Sequence, residues 1–257
     1  MKIKFSVLLV LAISLAFTSC KKSSTATTDP QLTPQQVASQ VALNFSSTLL
    51  GGSGGLNIGK GLNAPQSLAV HTKSKRLNDL SDGNLCGLTV DTTFNSTVAF
   101  GDSTITVAGT INFSFNCSGG ALSGFTTNDN FNLAYSSPQL AIAEKSISSL
   151  TLTVTNVADS TADVALSGSS STSGSYQYKT GTKRTGTEAF SYTLTNLLID
   201  PNSSSIVSGS AKFSTSGSGP RGVWNYQGTI TFLPNNLATI VINGKTYNVN
   251  LLTGIVS

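Results

Sequence analysis

The chain has 257 residues, of which 39% are hydrophobic and only 10% are charged, and its formal net charge is +4. The apolar fraction is enough to fill a core, and the low charge excludes a disordered polyampholyte. The positive charge is too small and too dispersed for a nucleic-acid footprint, so we expect no nucleic-acid partner.

The first twenty residues are organised like an export signal. Lys2 and Lys4 precede an apolar run that ends at Phe17 and is too short to span a membrane. The ending Thr18-Ser19-Cys20 resembles the lipobox of bacterial lipoproteins. This resemblance covers residues 1–20 only, and no domain family is recognised in the rest of the chain.

The lipobox resemblance has consequences for targeting. It implies a signal peptide over residues 1–19, cleavage before Cys20, and diacylglycerol on the Cys20 thiol, so that the protein is held to a membrane by its N-terminal lipid. In Gram-negative lipoproteins, a residue such as Lys21 rather than Asp after the cysteine favours the outer membrane. We therefore expect a lipid-anchored outer-membrane protein, facing either the periplasm or the cell surface.

Two polar segments flank a single predicted helix. Residues 20–33 comprise the lipidated cysteine and a flexible tether, because they are polar and lack periodicity. Residues 51–85 are Gly-rich and then polar, and they form a connection whose structure the pattern does not define.

The helix is predicted over residues 34–50. Thr33 can cap it, Pro34 suits its first position, and Gln36 completes a capping box. Val37, Val41, Phe45 and Leu49 then recur every four residues along one stripe. Because the segment contains neither Lys nor Arg, we expect it to pack on the β domain and not to lie on a membrane.

Residues 86–257 are predicted to form an antiparallel β domain, which begins with a long hairpin turning at Gly101-Asp102. Counting outward from this turn pairs Val98 with Ile105, Val90 with Phe113, and Cys86 with Cys117. In this register the apolar side chains share one face and the polar side chains share the other.

Alternating patterns continue to the end of the chain and predict a meander of about eleven strands, in an all-β fold with one N-terminal helix. We expect Leu198 to face Val207, and Asn243-Gly244 to form a tight hairpin that pairs Ile240 with Tyr247. A meander of this kind can close as a barrel, curl as a half-barrel, or fold into two packed sheets.

Two cysteines are left once Cys20 is assigned to the lipid. In an exported protein, Cys86 and Cys117 are expected to form one disulfide, since opposed residues of an antiparallel pair lie within bridging distance. Closing a loop of this length stabilises a fold by about 3–4 kcal/mol in the chain-entropy model.

The sequence lacks the usual catalytic patterns, and we expect no catalytic residues, no metal and no cofactor. His71 is the only histidine, so any Ser-His-Asp relay or His-based metal site must use it. No spacing argument pairs Glu144 with Glu188, the only two glutamates, as glycosidase acids. Asn128-Asp129-Asn130 could offer calcium oxygens, but their spacing matches no known loop.

Two predicted hairpin tips carry a modification pattern. Asp102-Ser103-Thr104 and Asp159-Ser160-Thr161 resemble the Asp-Ser/Thr-x sequon of periplasmic O-glycosylation in some Gram-negative bacteria. This resemblance implies glycans on Ser103 and Ser160.

For function, these patterns favour a non-catalytic binding or surface-structural module in the cell envelope. Three kinds of partner stay open: an acyl chain or other apolar ligand on a concave face, a carbohydrate, or an envelope protein. Contacts with carbohydrate or protein would use the polar outer face and any exposed ring among Tyr176, Tyr178, Trp224 and Tyr226. The alternative from another class is an envelope polymer hydrolase, which would need carboxylates converging in one cleft.

Overall fold

The computed structural model describes residues 31–46, 86–156, 159, 162–200, 202–203, 205–220 and 222–257. These residues form one helix and ten strands. In chain order they are α1 (Pro34–Phe45), β1 (Thr89–Phe100), β2 (Ser103–Ser118), β3 (Ala121–Ser136), β4 (Leu140–Val154), β5 (Val164–Tyr178), β6 (Thr185–Asp200), β7 (Ser205–Gly219), β8 (Gly222–Leu233), β9 (Leu237–Ile242) and β10 (Lys245–Asn250).

The strands form a single antiparallel sheet in which each strand pairs with its neighbours in sequence. The all-β meander is therefore confirmed. Within the described residues the sheet is open, with β1 and β10 at its two edges, and it neither closes into a barrel nor divides into two sheets.

The first hairpin has the predicted register. Val98 pairs with Ile105 and Val90 pairs with Phe113 around a turn at Gly101, whose φ of 58° is one that glycine adopts readily. The terminal hairpin is also confirmed, since Ile240 pairs with Tyr247 across the positive-φ turn.

Helix α1 begins as its sequence predicts. The Thr33 side chain accepts a hydrogen bond from the Gln36 backbone N–H, and the Gln36 side chain accepts one from the Thr33 N–H. Its apolar stripe, including Val37, Val41 and Phe45, is buried against the sheet. The predicted end at residue 50 lies outside the described residues. No described helix has both the length and the hydropathy that crossing a membrane requires.

We call the face of the sheet that carries α1 the inner face. Phe45 contacts it through three aromatic rings, with ring centroids 5.4 Å from Phe190, 4.5 Å from Tyr192 and 5.5 Å from Phe232. The core therefore lies between this helix and the strands beneath it. The opposite, outer face carries mainly Ser, Thr, Asn and Lys side chains.

One predicted pairing is wrong. Leu198 was expected to face Val207, but the ladder between β6 and β7 shifts register there, and Leu198 pairs with Ser208. Asn196 has a φ of 52°, which marks the irregularity. As a result Leu197, not Leu198, points into the core.

The strand count is ten instead of about eleven because β5 is longer than its apolar signal. Leu166 and Tyr176 lie on this one strand, separated by a run of Ser, Thr and Gly residues. Such a run has no hydrophobic alternation, so the sequence pattern makes it look like a break between strands.

Candidate binding site

One region of the inner face brings carboxylates, aromatic rings and glycines together. The strand register places Glu144, Gly174, Glu188, Gly217 and Trp224 in one row that crosses β4 to β8. In the adjacent row Tyr176 of β5 pairs with Gly186 of β6. We call these residues the platform, because the glycines lack side chains that would separate the rings and carboxyl groups from the sheet: Glu144, Gly174, Tyr176, Gly186, Glu188, Gly217 and Trp224.

The two aromatic rings of the platform lie against glycines of the neighbouring strands. A Cβ added at Gly217 would lie 2.3 Å from Cζ2 of Trp224, and one added at Gly186 would lie 2.4 Å from Cε1 of Tyr176. The Trp224 Nε1–H also donates a 3.1 Å hydrogen bond to Thr215 Oγ1, which fixes the indole in this position. Both residues are half-buried, so each presents part of its ring to solvent.

Gly174 lies between the two glutamates on the strand that separates them, and the space above its Cα is unoccupied by its own side chain. The nearest atom to a Cβ added there would be the Ala143 carbonyl oxygen at 3.4 Å, which is ordinary van der Waals contact. Glu144 and Glu188 are thus separated by two strand spacings, about 10 Å between their Cα atoms, and the residue between them in the row is Gly174, which has no side chain.

The two glutamates have different surroundings. Glu188 Oε1 accepts hydrogen bonds from helix α1, at 3.1 Å from Gln40 Nε2 and 2.9 Å from Asn44 Nδ2. Burial raises the pKa of Glu144, and the negative charge of Glu188 raises it further. Glu188 therefore accepts hydrogen bonds from the helix, whereas Glu144 holds a proton more readily than an ordinary glutamate does.

A third carboxylate lies on the inner face away from the platform. Asp129 is buried, and its two oxygens accept hydrogen bonds from Thr127 Oγ1 at 2.7 Å and from Ser148 Oγ at 3.2 Å. Burial raises the pKa of Asp129, although these two hydroxyl groups partly oppose the shift. Asn128 and Asn130 point to the outer face, so these three residues do not converge as a calcium site would require.

No group of three or more His, Cys, Asp or Glu side chains in the described part of the chain is arranged to hold a metal ion.

The structure brings together one predicted pair. Cys86 and Cys117 form a disulfide with their Cα atoms 5.4 Å apart, as the hairpin register requires. Ser103 lies beside the tip of the first hairpin. Hydrogen bonds with Ser103 and Ser137 lower the pKa of the half-buried Tyr135. Cys20, Ser160 and His71 lie outside the described residues.

None of the four aromatic candidates lies on the outer face. Tyr176, Tyr178 and Trp224 lie on the inner face, not on the polar outer face. Tyr226 belongs to the core, where its hydroxyl donates a 2.7 Å hydrogen bond to the Leu32 carbonyl. The platform glycines were not singled out, because glycine carries no polarity signal and its neighbours on adjacent strands are known only once the strands are paired.

Shallow depressions lie on the described part of the outer face. Two adjoining ones over β4 to β7 have volumes of about 310 and 440 Å³. Their outward side chains are mostly serines, together with Ile147, Lys145 and Lys212. This surface therefore presents hydroxyl groups and positive charge, whereas the carboxylates Asp129, Glu144 and Glu188 are all on the inner face.

No protein-family model, curated protein or solved structure matches this chain.

Proposed function

We propose that this protein is a lipid-anchored, non-catalytic binding module of the outer membrane, and that its platform binds a glycan chain. The observation that supports this most strongly is the position of Trp224 and Tyr176, which lie on glycine backbone with part of each ring open to solvent. The anchor rests on the lipobox-like sequence that ends at Cys20.

Sugars and this platform are chemically complementary. The C–H face of a pyranose ring is apolar and gains dispersion contact when it stacks on an aromatic ring. Its hydroxyl groups need acceptors, and the carboxyl oxygens of Glu144 and Glu188 supply strong ones beside the rings. The space above Gly174, which a Cβ would enter without a close contact, leaves room for a sugar between the two carboxyl groups.

The apolar-carrier alternative has less support. A carrier needs an unfilled greasy cavity, but the apolar side chains beneath α1 are tightly covered. Phe45, Phe232 and Ile240 are each less than 2% exposed. On the described inner face, packed side chains therefore fill the apolar region beneath α1. The platform, where aromatic rings and carboxyl groups lie together, is the more exposed region.

Hydrolysis of the bound glycan is the second candidate, because Glu144 and Glu188 are in register across Gly174. Glycoside hydrolysis commonly uses one carboxylic acid with a raised pKa as proton donor and a second carboxylate facing it. Burial raises the pKa of Glu144, and Glu188 is held as an acceptor by two amides. Glu144 would protonate the leaving oxygen, and Glu188 would activate water.

Calorimetric titration of the full-length protein in detergent tests the proposal. The probes are linear neutral oligosaccharides, namely cellohexaose, xylohexaose, mannohexaose and the hexamer of N-acetylglucosamine. We expect binding to at least one of them, and Trp224→Ala should weaken it roughly tenfold through loss of about 1–2 kcal/mol of ring contact. Ile147→Ala on the outer face, which is 44% exposed, is the matched control and should bind normally.

Two results would contradict the proposal: no binding to any of the four probes, or binding that Trp224→Ala leaves unchanged. The same samples separate binding from hydrolysis. If the oligosaccharide is recovered intact after prolonged incubation, the hydrolase candidate is excluded, whereas shortened products that Glu144→Gln abolishes would support it.

A further inference from the structure

The two edges of the sheet differ. At the β10 edge, the C-terminal residues fold back onto the strand, with Val256 bridging Val249 and the Ser257 N–H donating a 2.9 Å hydrogen bond to the Asn248 carbonyl. At the other edge, β1 has one strand neighbour, β2, among the described residues. An edge strand of twelve residues with no further partner in the described part of the chain is long for an open sheet.

No described strand pairs with the outward backbone groups at this edge. Phe100 and Ser103 flank the two-residue turn, and the Phe115 N–H donates a 3.0 Å hydrogen bond to the Leu88 carbonyl. The even-numbered residues of β1 therefore bond to β2, and the odd-numbered residues direct their N–H and C=O groups away from the sheet. These odd-numbered residues are Thr89, Asp91, Thr93, Asn95, Thr97 and Ala99.

The strand is also unusually suited to pairing with itself. Its inner-face side chains are symmetric in character about Phe94: Thr92 corresponds to Ser96, Val90 to Val98, and Leu88 to Phe100. Several of the apolar ones are poorly covered in the single chain, with Leu88 37%, Val98 52% and Phe100 49% exposed.

We propose that the protein forms a two-fold symmetric dimer in which β1 pairs antiparallel with β1 of a second copy, with the axis at Phe94. This register places Phe94 beside its symmetry mate, Val90 beside Val98, and Leu88 beside Phe100. Every inner-face contact is then apolar with apolar or polar with polar, and the two sheets join into one.

Neighbouring registers lack this match. Moving the axis to Thr93 sets Val90 against Ser96 and Thr92 against Phe94, and moving it to Asn95 sets Thr92 against Val98 and Phe94 against Ser96. Both shifts keep the odd-numbered backbone groups paired, so it is side-chain complementarity that selects the axis at Phe94.

Charge is consistent with the same axis. Asp91 is the only charged residue of β1, and in this register it faces Thr97 of the second copy and not the other Asp91. A two-fold axis perpendicular to the joined sheets also keeps both inner faces, and with them both helices α1, on the same side. Two N-terminal tethers leaving from one side could reach the same membrane.

Sedimentation velocity of the full-length protein in detergent tests the dimer and its register. Thr97→Lys and Thr97→Asp are a matched pair, since both remove the same hydrogen bond with Thr106 at an exposed position. Opposite Asp91, the lysine should tighten the dimer and the aspartate should loosen it. Cross-strand charge pairs occur twice per dimer, so the two Kd values should differ by about fourfold or more.

A third variant tests the edge itself. Asn95→Pro removes an outward N–H while leaving the ladder to β2 intact, so it should yield a folded monomer. A wild-type protein that stays monomeric at every concentration would overturn the dimer. Equal Kd values for Thr97→Lys and Thr97→Asp would overturn the register, whatever the folding of the proline variant. None of these outcomes depends on glycan binding.

Discussion

Glu144 and Glu188 both pair with Gly174, which places the two glutamates of the chain in one cross-strand row with bare backbone between them. They lie 44 residues apart by their numbers, and only the register of β4, β5 and β6 brings them together. The indole of Trp224 lies in the same row. Helix α1 contacts this row at Glu188, through the side chains of Gln40 and Asn44.

Two glycines of this row should respond differently to the same substitution. Gly174→Ala adds a methyl group in ordinary contact with its surroundings, so we expect little change in the free energy of unfolding. Gly217→Ala places its methyl group 2.4 Å from the Thr187 carbonyl oxygen and 2.3 Å from Trp224, so it must displace the ring and should destabilise the fold. Chemical denaturation checks both, and equal stabilities would contradict the ring position.

The packing of α1 on the sheet should contribute a large part of the free energy of unfolding. Phe45 is 1% exposed and touches three aromatic rings, so Phe45→Ala should lower the free energy of unfolding by about 3–5 kcal/mol. The matched control is Ile147→Ala, which removes an apolar side chain that is 44% exposed and should change the free energy by less than about 0.5 kcal/mol. Similar losses for the two variants in urea denaturation would show that the helix is not docked.

Asp129 should make the protein less stable as pH rises. Because burial raises its pKa, the folded state holds this proton more tightly than the unfolded chain does. The stabilisation is present below the ordinary Asp pKa and is lost as pH increases through the raised value. Asp129→Asn should remove that loss, so its stability relative to wild type should increase from about pH 3 to about pH 7 in urea denaturation. A difference that is constant with pH would contradict this.

Much of the fold could be predicted from the sequence, because in several hairpins the polarity pattern and the turn residues indicate the same strand register. The β1–β2 register, the Cys86–Cys117 bridge and the Asn243-Gly244 turn each follow from local residues. The bulge at Asn196 was missed because an added residue in one strand leaves the alternation on either side intact.

The platform was harder to predict than the strands. Tyr176 and Trp224 were candidates, but their face depended on a register that crosses the serine-rich part of β5. Gly174 and Gly217 carry no polarity signal at all, so only the paired strands reveal that they lie between the glutamates and beside the indole.

Lipidation and glycosylation stay predictions, and intact mass spectrometry of the protein from its native host tests both. We expect a chain that begins at Cys20 and carries acyl groups, and a Cys20→Ser variant that no longer sediments with membranes. Glycans on Ser103 and Ser160 would add further mass in sugar increments. A mass equal to the lipidated polypeptide alone would exclude the glycans, and a mass without acyl groups would exclude the anchor.

Tryptophan fluorescence tests the platform most directly, because Trp224 is the only tryptophan in the chain. A glycan stacked on the indole must exclude water from its exposed part. We therefore expect a saturable blue shift of the Trp224 emission when an oligosaccharide that binds in calorimetry is added, and Tyr176→Ala should weaken that shift. Binding that saturates in calorimetry while the Trp224 emission stays unchanged would place the ligand elsewhere and contradict the account.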